Sequence, residues 1–506
     1  MEAPHEAVKR IGSRDYFIPV VFGAIKFLIS IFGINSQYQL QRDEYLYLAE
    51  GRHLAWGFDE VPPMVPFLGR IPYELGNSFF LVKFWPALFG ALTAFLLGMM
   101  VFRFGGNRIA QVLAGISFLL SVYLRIHILF QPNVLDIFFW TLIAYSLICF
   151  YQTENNKWLY IAGTALGLGL LSKYMIVVFV LSLFIGILLT KQRRLLLNKH
   201  LWFSLLIAFI IFLPNFIWQI QNQFPALHHA EELKQTQLKF ISPFTFLVQQ
   251  LLMLLNSVPV WILGLWFLAR AKPAKPFSFF AWTYFVMLII FTLTGGKDYY
   301  TLGMYPLLLA GGSVWIEQHT AKRKWIAYAL IIFIVLVGLD MVPIMLPFQA
   351  PEDAAAFYQR NHTERLGALQ WEDGKNHPLP QDFADMLGWR EMAQKTSAIY
   401  MNLPDSVKKK TEVYCYNYGE AGALLYYEKK FPVPEVYSHS SSFDLWMPKT
   451  IPGSSLIIIS DGDPPKSSEK YSLSNIRLMD SVTNPLARES GSKIYFVGEI
   501  RSLKSE

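Results

Sequence analysis

A polar stretch near the N-terminus carries the first side chains that could do chemistry. Residues 42–63 read RDEYLYLAEGRHLAWGFDEVPP, with Asp43 and Glu44 at the start and Asp59 and Glu60 near the end. A carboxylate acts as a general base when it lies within hydrogen-bond reach of the proton it removes. Neighbouring residues on a helix point about 100° apart, so we expect Asp43 and Glu44 to have different roles. The other two acids precede a pair of prolines, where an ordinary solvated turn explains them equally well.

The spacing of apolar residues in this stretch predicts a short helix. Tyr45, Leu48, Ala49 and Trp56 recur at roughly helical intervals. An amphipathic helix lying in the membrane interface has this pattern, and we expect it to end before Gly57.

A third candidate acid lies inside an apolar run. Asp136 stands in QPNVLDIFFWTL. An ionisable group costs about 2.5 to 3.5 kcal/mol at the centre of a bilayer on insertion scales, so it usually faces a cavity or a partner. We therefore place Asp136 with Asp43 and Glu44 as a candidate catalytic residue, and a simple helix cap is the alternative.

Cationic and tyrosine side chains could bind a phosphate. Lys297, Tyr299 and Tyr300 stand in TGGKDYYTLGMYP, Lys173 stands in GLLSKYM, and Arg52 stands in the opening stretch 42–63. Lysine supplies a point charge and tyrosine an amphipathic rim at the membrane surface. For both lysines the alternative is snorkelling, in which the ammonium reaches the lipid headgroups.

Two adjacent histidines do not predict a metal site. His228 and His229 precede two glutamates in ALHHAEELK. Neighbouring histidines lack the i, i+4 spacing that places two ligands on one helix face. No metal ligand is therefore assigned and no cofactor is expected, although a divalent cation stays open.

The composition is that of a membrane protein. Of the 506 residues, 53% are hydrophobic and 16% are charged, and the mean hydropathy is +0.33. Soluble domains carry about 25% charged residues. The net charge of +7 is spread over short clusters between apolar runs. Such clusters orient membrane helices and do not form the basic face that nucleic-acid binding needs, so nucleic acid is excluded as a partner.

The apolar runs predict about eleven membrane-spanning helices. A span needs about 20 apolar residues. Nine runs meet this length, at 17–35, 79–102, 110–130, 134–151, 201–218, 243–268, 277–294, 299–318 and 325–346. The segment 158–190 is too long for one span, and a break at Ser172-Lys173-Tyr174 would make it two.

The positive-inside rule favours this break. With Lys9, Arg10 and Arg14 in the cytoplasm, eleven spans keep the later basic clusters on the same side. The loops 36–78 and 219–242 then face outward, as does all of the chain after Leu346. We expect a multi-pass membrane protein with the N-terminus cytoplasmic; the family resemblance described below implies the bacterial cytoplasmic (inner) membrane.

The composition changes after Leu346. Strand-like runs such as SLIIISDG and KIYFVGEI alternate with helical stretches in residues 347–506. This alternation predicts a soluble, extracytoplasmic α/β domain, which follows a transmembrane domain over residues 1–346 whose external loop 36–78 carries interfacial helices.

Acids, lysines and a broken span on one side of a membrane suit group transfer from a lipid-linked phosphate. A carboxylate would remove the proton of an acceptor hydroxyl as it attacks the anomeric carbon of a sugar. Cationic groups would stabilise the departing lipid phosphate.

These same residues carry a family resemblance. RDEYLYLAEGRHLAWGFDEVPPMVPFL resembles the first external loop of bacterial glycosyltransferase family 39, the protein O-mannosyltransferase-like enzymes of the C-type glycosyltransferase fold, which are related to lipid A aminoarabinose transferases. The likeness continues through PNVLDIFFWTL, LGLGLLSKY, GGKDYYTLGMYPLLLAGG, LPQDFADMLGW and NYGEAGAL. It implies a polyprenyl-phosphate-linked sugar donor and inversion at the anomeric carbon. The family's first-loop acid maps onto Asp43, its second-loop acid onto Asp136, and a basic position of a late loop onto Lys297.

The sequence also departs from the family. Relatives carry Lys or His before the paired prolines, where Val61 stands here. The large β-rich loop insertion of eukaryotic protein mannosyltransferases is missing from the short loop 219–242. The acceptor could be a lipid, a glycan or a protein, which are alternatives that the sequence leaves open.

A competing interpretation is a non-enzymatic transporter or lipid-binding permease surrounded by membrane lipids. Such a protein would be expected to carry ionisable residues deep in several spans and a repeat of its first half, and neither pattern is clear in the sequence.

Overall fold

The computed structural model describes residue 12 and the ranges 15–236, 238, 242–462, 465–467 and 471–502. The chain divides into two compact units. The first, here the helical unit, comprises Met1–Gly33, Val61–Met64 and Lys83–Leu346. The second, here the mixed unit, comprises Ile34–Glu60, Val65–Val82 and Pro347–Glu506. The basic N-terminal residues Lys9, Arg10 and Arg14, on which the predicted orientation depends, lie outside the described residues.

Helices, numbered along the chain, build the helical unit. They are α1 (Phe17–Phe32), most of α4 (Phe79–Arg103), α5 (Arg108–Leu119), α6 (Tyr123–Ile126), α7 (Pro132–Thr153), α8 (Lys157–Leu170), α9 (Ile176–Leu188), α10 (Lys199–Gln221), α11 (Pro225–Thr236), α12 (Pro243–Leu252), α13 (Val258–Arg270), α14 (Phe279–Thr294), α15 (Tyr305–His319) and α16 (Trp325–Met345). Short 3₁₀ segments join some of them, including Lys191–Leu197 and Asp298–Met304.

Within the described ranges, four helices are long and apolar enough to cross a membrane, namely α4, α7, α10 and α16. Two bent pairs raise the number to six if each pair is one span: α9 with Lys191–Leu197, bent by 112°, and α12 with Leu255–Arg270, bent by 70°. Several apolar runs of the sequence are divided between shorter elements. The run 110–130, for example, contains the separate helices α5 and α6, because hydropathy averages over the turn between them. The count of eleven spans stays a prediction.

The predicted break in the segment 158–190 is confirmed. Helix α8 ends at Leu170 and α9 begins at Ile176. The intervening turn is held by the Ser172 hydroxyl, which donates a hydrogen bond to the Leu168 carbonyl at 2.8 Å. The turn leaves Lys173 between two helices instead of on the side of one.

Small residues allow α13 and α15 to pack backbone against backbone. A Cβ atom at Gly264 would overlap the Leu308 carbonyl, and one at Gly312 would overlap the Val260 carbonyl. Close approach through small residues is the usual way in which membrane helices gain packing energy, since the surrounding lipid is as apolar as their side chains.

The mixed unit contains a five-stranded sheet of order β2-β1-β3-β5-β4. The strands are β1 (Thr411–Cys415), β2 (Val436–Tyr437), β3 (Ser455–Ser460), β4 (Tyr471–Ser481) and β5 (Lys493–Ser502). Strand β1 is parallel to β2 and β3, whereas β5 is antiparallel to β3 and β4. Every residue of β3 is buried, as expected of a central strand. This sheet confirms the α/β class that was predicted for residues 347–506.

The helices of the mixed unit come from both ends of the chain. They are α2 (Arg42–Arg52), most of α3 (Met64–Glu74), α17 (Pro351–Arg360), α18 (Gln381–Ala384), α19 (Trp389–Met401), α20 (Asp405–Lys408) and α21 (Tyr418–Tyr427). Helix α2 packs on α21, where a Cβ atom at Gly422 would lie 2.7 Å from the Tyr45 carbonyl oxygen. Only glycine permits this approach.

The predicted helix of the first loop is present, but it is more deeply buried than its amphipathic pattern suggests. Helix α2 ends at Arg52, and the exposed Trp56 lies beyond it. All residues from Glu44 to Gly51 are buried within the mixed unit, so the helix has no broad solvent face. The sequence identified the apolar positions of α2 that are buried. Packing against α21, which is distant in sequence, buries polar positions of α2 as well.

Candidate active site

The first turn of α2 is fixed by a capping box. The Gln41 side chain accepts a hydrogen bond from the Asp43 backbone N–H at 2.9 Å, and the Glu44 carboxylate accepts one from the Gln41 N–H at 2.6 Å. Such reciprocal bonds satisfy backbone donors that a helix start otherwise leaves unpaired. Glu44 is therefore held as a buried helix cap, and the side chain beside it, Asp43, points in a different direction.

Asp43 is held by a residue far away in sequence. The Tyr418 hydroxyl donates a hydrogen bond to Asp43 Oδ1 at 2.8 Å. Tyr418 is the first residue of α21, whose start carries its own capping box of Asn417 and Glu420. Arg42 strengthens the arrangement: its Nε donates to Asn417 Oδ1 at 3.3 Å, and its guanidinium lies 4.6 Å from the centre of the Tyr418 ring.

The surroundings raise the pKa of Asp43. Burial is the largest cause, and the hydrogen bond from Tyr418 and the charge of Arg42 oppose it without reversing it. The charges of Asp382 and Glu372 add to the rise. A carboxylate with a raised pKa is a stronger base than a solvated one, which suits proton abstraction near neutral pH.

A second group of acids lies at the other end of α2. The hydroxyls of Ser441 and Ser442 donate to the two carboxylate oxygens of Glu60, the latter at 2.7 Å. Ser442 also accepts from the Asp59 backbone N–H at 3.1 Å. Burial raises the pKa of Glu60 to about 7. The buried Glu50 has a pKa raised by burial first and then by the charge of Glu60.

Arg52 has a partner within the mixed unit. Its Nη1 lies 3.1 Å from a carboxylate oxygen of Glu428, and its guanidinium lies 5.1 Å from the centre of the Tyr73 ring. The two lysines that were grouped with it as phosphate ligands belong to the helical unit.

Asp136 lies in the second turn of α7, in the helical unit. It is buried, and its Oδ1 accepts a hydrogen bond from the Trp140 indole N–H at 2.8 Å. The Trp140 ring stacks on Phe179 of α9, with 4.5 Å between ring centres. Gly303 lies against the same indole, where a Cβ atom would overlap the ring. Asp136 is therefore positioned by a packed aromatic side chain.

Lys173 joins three segments of the helical unit. Its ammonium donates to Asn133 Oδ1 and lies 5.1 Å and 5.0 Å from the ring centres of Tyr299 and Tyr300. The charge of Asp136 attracts it. A cation over two aromatic faces gains about 0.5 to 2 kcal/mol per contact, depending on solvation.

Lys297 lies close to this cluster. It immediately precedes the 3₁₀ segment Asp298–Met304, which carries both tyrosines. Its charge and that of Lys173 are near enough to repel each other. A bound anion would relieve the repulsion between these two positive charges, so the pair indicates an anion-binding site.

The structure thus brings together four of the predicted site residues within the helical unit, namely Asp136, Lys173, Tyr299 and Tyr300, with Lys297 beside them. In the mixed unit it places Asp43 and Glu44 at the start of α2. Sequence reasoning had not singled out Tyr418, Glu50 and Asn133. Tyr418 belongs to the motif NYGEAGAL, which the resemblance quoted without a role for this residue.

Residues 60–218 match the sequence profile of the family described as dolichyl-phosphate-mannose-protein mannosyltransferase. The matched part is less than half of the chain. Lipid A galacturonosyltransferase RgtD of Rhizobium johnstonii is similar to this chain, with 25% identity over 198 residues. That match covers 38% of this chain and 41% of RgtD, so the chain spans about two fifths of that relative's length.

Two solved structures share the fold of this chain over nearly their whole length. They are ArnT from Cupriavidus metallidurans bound to undecaprenyl phosphate and the same protein in the apo state. Both superpose with a TM-score of 0.64, covering 96% of this chain and 98% of ArnT, at 14% and 13% sequence identity. At this sequence identity, the structural similarity establishes a shared fold and nothing further.

The buried Glu60 predicts a pH-dependent stability of the protein. The folded-state pKa of Glu60 is about 7, against an ordinary value of 4.5. Between these values the folded state holds a proton that the unfolded state has lost, so stability falls as pH rises through this window. We expect Glu60→Gln to make the thermal unfolding midpoint less sensitive to pH between about 4.5 and about 7. The exposed Asp405→Asn is the control, and equal pH slopes for all three proteins would contradict the burial of Glu60.

Proposed function

We propose that this protein transfers a sugar from a polyprenyl-phosphate donor to a hydroxyl or phosphate of a lipid acceptor, with inversion at the anomeric carbon. The observation that carries the proposal is the partly buried Asp43, whose pKa is raised and whose Oδ1 accepts a hydrogen bond from Tyr418. One carboxylate oxygen is fixed by this bond, which orients the other.

The lysines of the helical unit supply the complementary half of the chemistry. Lys173 and Lys297 would bind the donor phosphate, and Tyr299 and Tyr300 already hold the first of them through their rings. Asp136 would act through Lys173, whose ammonium it attracts. Arg52, which pairs with Glu428, would bind phosphate only after giving up this ion pair.

In this reaction, Asp43 assists formation of the new glycosidic bond and the lysines assist cleavage of the bond to the donor phosphate. Asp43 removes the proton of the acceptor hydroxyl, whose oxygen attacks the anomeric carbon from the face opposite the phosphate. The bond between that carbon and the phosphate oxygen breaks, and the polyprenyl phosphate leaves with the electron pair. The ammonium groups stabilise the charge that develops on it. The assignment of Asp43 and the lysines to one reaction rests on this chemistry and on the family likeness.

The comparisons support both substrates. ArnT was solved with undecaprenyl phosphate, which supports a polyprenyl-phosphate donor. The name of RgtD, lipid A galacturonosyltransferase, supports a lipid acceptor and a sugar as the group that is moved. The reaction is assigned to the outer face of the bacterial inner membrane, and residues 347–506 to an extracytoplasmic domain.

Replacement of Asp43 tests the proposal directly. The purified full chain is incubated with lipid A and a panel of labelled polyprenyl-phosphate sugars, and release of polyprenyl phosphate is measured. We expect Asp43→Asn to lower kcat by about 100-fold or more, because the amide cannot accept the proton. Glu44→Gln is a control for the helix start and should lose stability without the same loss of kcat. Equal transfer by wild type and Asp43→Asn would remove Asp43 as the base, and no release from any donor would refute the proposed activity.

The raised pKa of Asp43 predicts an acid limb in the pH profile. The base must be ionised, so kcat/KM falls as pH drops through the pKa of Asp43 in the free enzyme. The hydrogen bond from Tyr418 lowers this pKa, so Tyr418→Phe should shift the acid limb to higher pH. The exposed Tyr416→Phe is the matched control. An acid limb that stays in place, or that moves to lower pH, contradicts the role of Tyr418.

Lys297 is tested by donor binding. Loss of a hydrogen bond to a charged group costs about 1.5 to 3 kcal/mol, so Lys297→Ala should weaken polyprenyl-phosphate binding by about tenfold or more. Lys297→Arg keeps the charge and should retain much of the affinity. Lys234→Ala, at an exposed lysine of the same unit, is the control. If Lys297→Ala binds the donor as the wild type does, the lysine only snorkels.

A further inference from the structure

Three acids converge in the mixed unit, apart from the residues proposed for catalysis. Glu420, Asp461 and Glu489 each offer a carboxylate oxygen, and these oxygens all lie within 4.8 Å of one another. Glu420 is in the first turn of α21, Asp461 follows β3, and Glu489 precedes β5. The sequence gives no hint of the cluster, because its members lie up to 69 positions apart (489 − 420).

Glu420 has a buried oxygen without a partner. Its side chain is 0% exposed, and one of its carboxylate oxygens accepts a hydrogen bond from the Asn417 N–H at 3.2 Å. The other oxygen, Oε1, is buried and has no hydrogen-bond partner among the described residues. Leaving a buried acceptor unsatisfied is unfavourable, and more so when the group is charged. This oxygen is therefore available to a ligand.

The nearby guanidinium groups are shared with other partners. Arg42 attracts both Glu420 and Glu489, but its Nε donates to Asn417. Arg488 attracts Glu489, but its two Nη atoms lie 3.3 Å and 3.7 Å from carboxylate oxygens of Asp385 and Glu372. Both guanidinium groups are therefore shared, and neither belongs to the three carboxylates alone.

We propose that Glu420, Asp461 and Glu489 bind a divalent, oxygen-preferring cation, with Ca²⁺ as the best fit. Ca²⁺ takes oxygen ligands at about 2.3 to 2.6 Å, so two ligands on opposite sides lie up to about 5 Å apart, a span that includes the observed spread. Mg²⁺ needs shorter distances of about 2.0 to 2.1 Å and near-octahedral geometry. Among the residues that the structure describes, no histidine or cysteine joins the three acids, which disfavours Zn²⁺.

Asp461 is the exposed member of the three acids. Ca²⁺ needs six to eight ligands, and an exposed carboxylate leaves an entry path and room for water to supply the remainder. The two buried glutamates hold fixed positions, one on a helix and the other beside a strand. The cation would tie the loop after β3 to the start of α21, two residues from Tyr418.

Calorimetric titration of the purified full chain in detergent with CaCl₂ tests this site without reference to activity. We expect the wild type to bind one Ca²⁺, and Asp461→Asn to bind it at least about tenfold more weakly. Asp461 is exposed, so this variant keeps the buried packing intact. Asp405→Asn, at an exposed acid of the same unit, is the matched control and should bind as the wild type does.

A second readout is the thermal unfolding midpoint, because a ligand that binds only the folded state stabilises it. Ca²⁺ should raise the midpoint of the wild type and of Asp405→Asn, and should raise that of Asp461→Asn and Glu489→Gln less. Absence of Ca²⁺ binding by the wild type overturns the proposal, as does equal binding by wild type and Asp461→Asn. Tighter binding of MgCl₂ or ZnCl₂ than of CaCl₂ overturns the choice of ion.

Discussion

Helix α2 and helix α21 lie against each other through Gly422, and the start of each helix is held by its own capping box. Asp43 and Tyr418 stand at these two starts. The positive end of the α2 dipole favours a negative Asp43 by about 0.3 to 1 kcal/mol near a surface. Burial acts in the opposite direction and prevails, since the pKa of Asp43 is raised. The Asp43 carboxylate thus lies in the first turn of a helix, where negative charge is favoured, but its burial gives it the raised pKa of a base.

Hydropathy and the spacing of residue types were enough to predict those features that depend on neighbouring residues in the chain. The break around Lys173 followed from the length of an apolar run and the distribution of basic residues, and the mixed α/β character of residues 347–506 followed from alternating strand and helix patterns. The acids of the first loop were also visible, because a charged cluster next to an apolar run stands out in sequence.

Long-range contacts left no such signal. Asp43 and Tyr418 are 375 positions apart, and nothing near either residue specifies the other. The same is true of Glu60 and its two serine donors. The sequence therefore did not distinguish a solvated turn from a buried site for this acid. Helix α2 has the apolar spacing of an amphipathic helix, yet packing within the mixed unit buries it from Glu44 to Gly51.

The hydrogen bond between Asp43 and Tyr418 also sets an order for biosynthesis. The ribosome makes the loop that carries Asp43 early, and Tyr418 follows only after every helix of the helical unit has been synthesised. Until then the acid lacks its hydroxyl donor and the packing of α21. A chain in which residues 347–506 do not fold therefore cannot assemble this carboxylate environment.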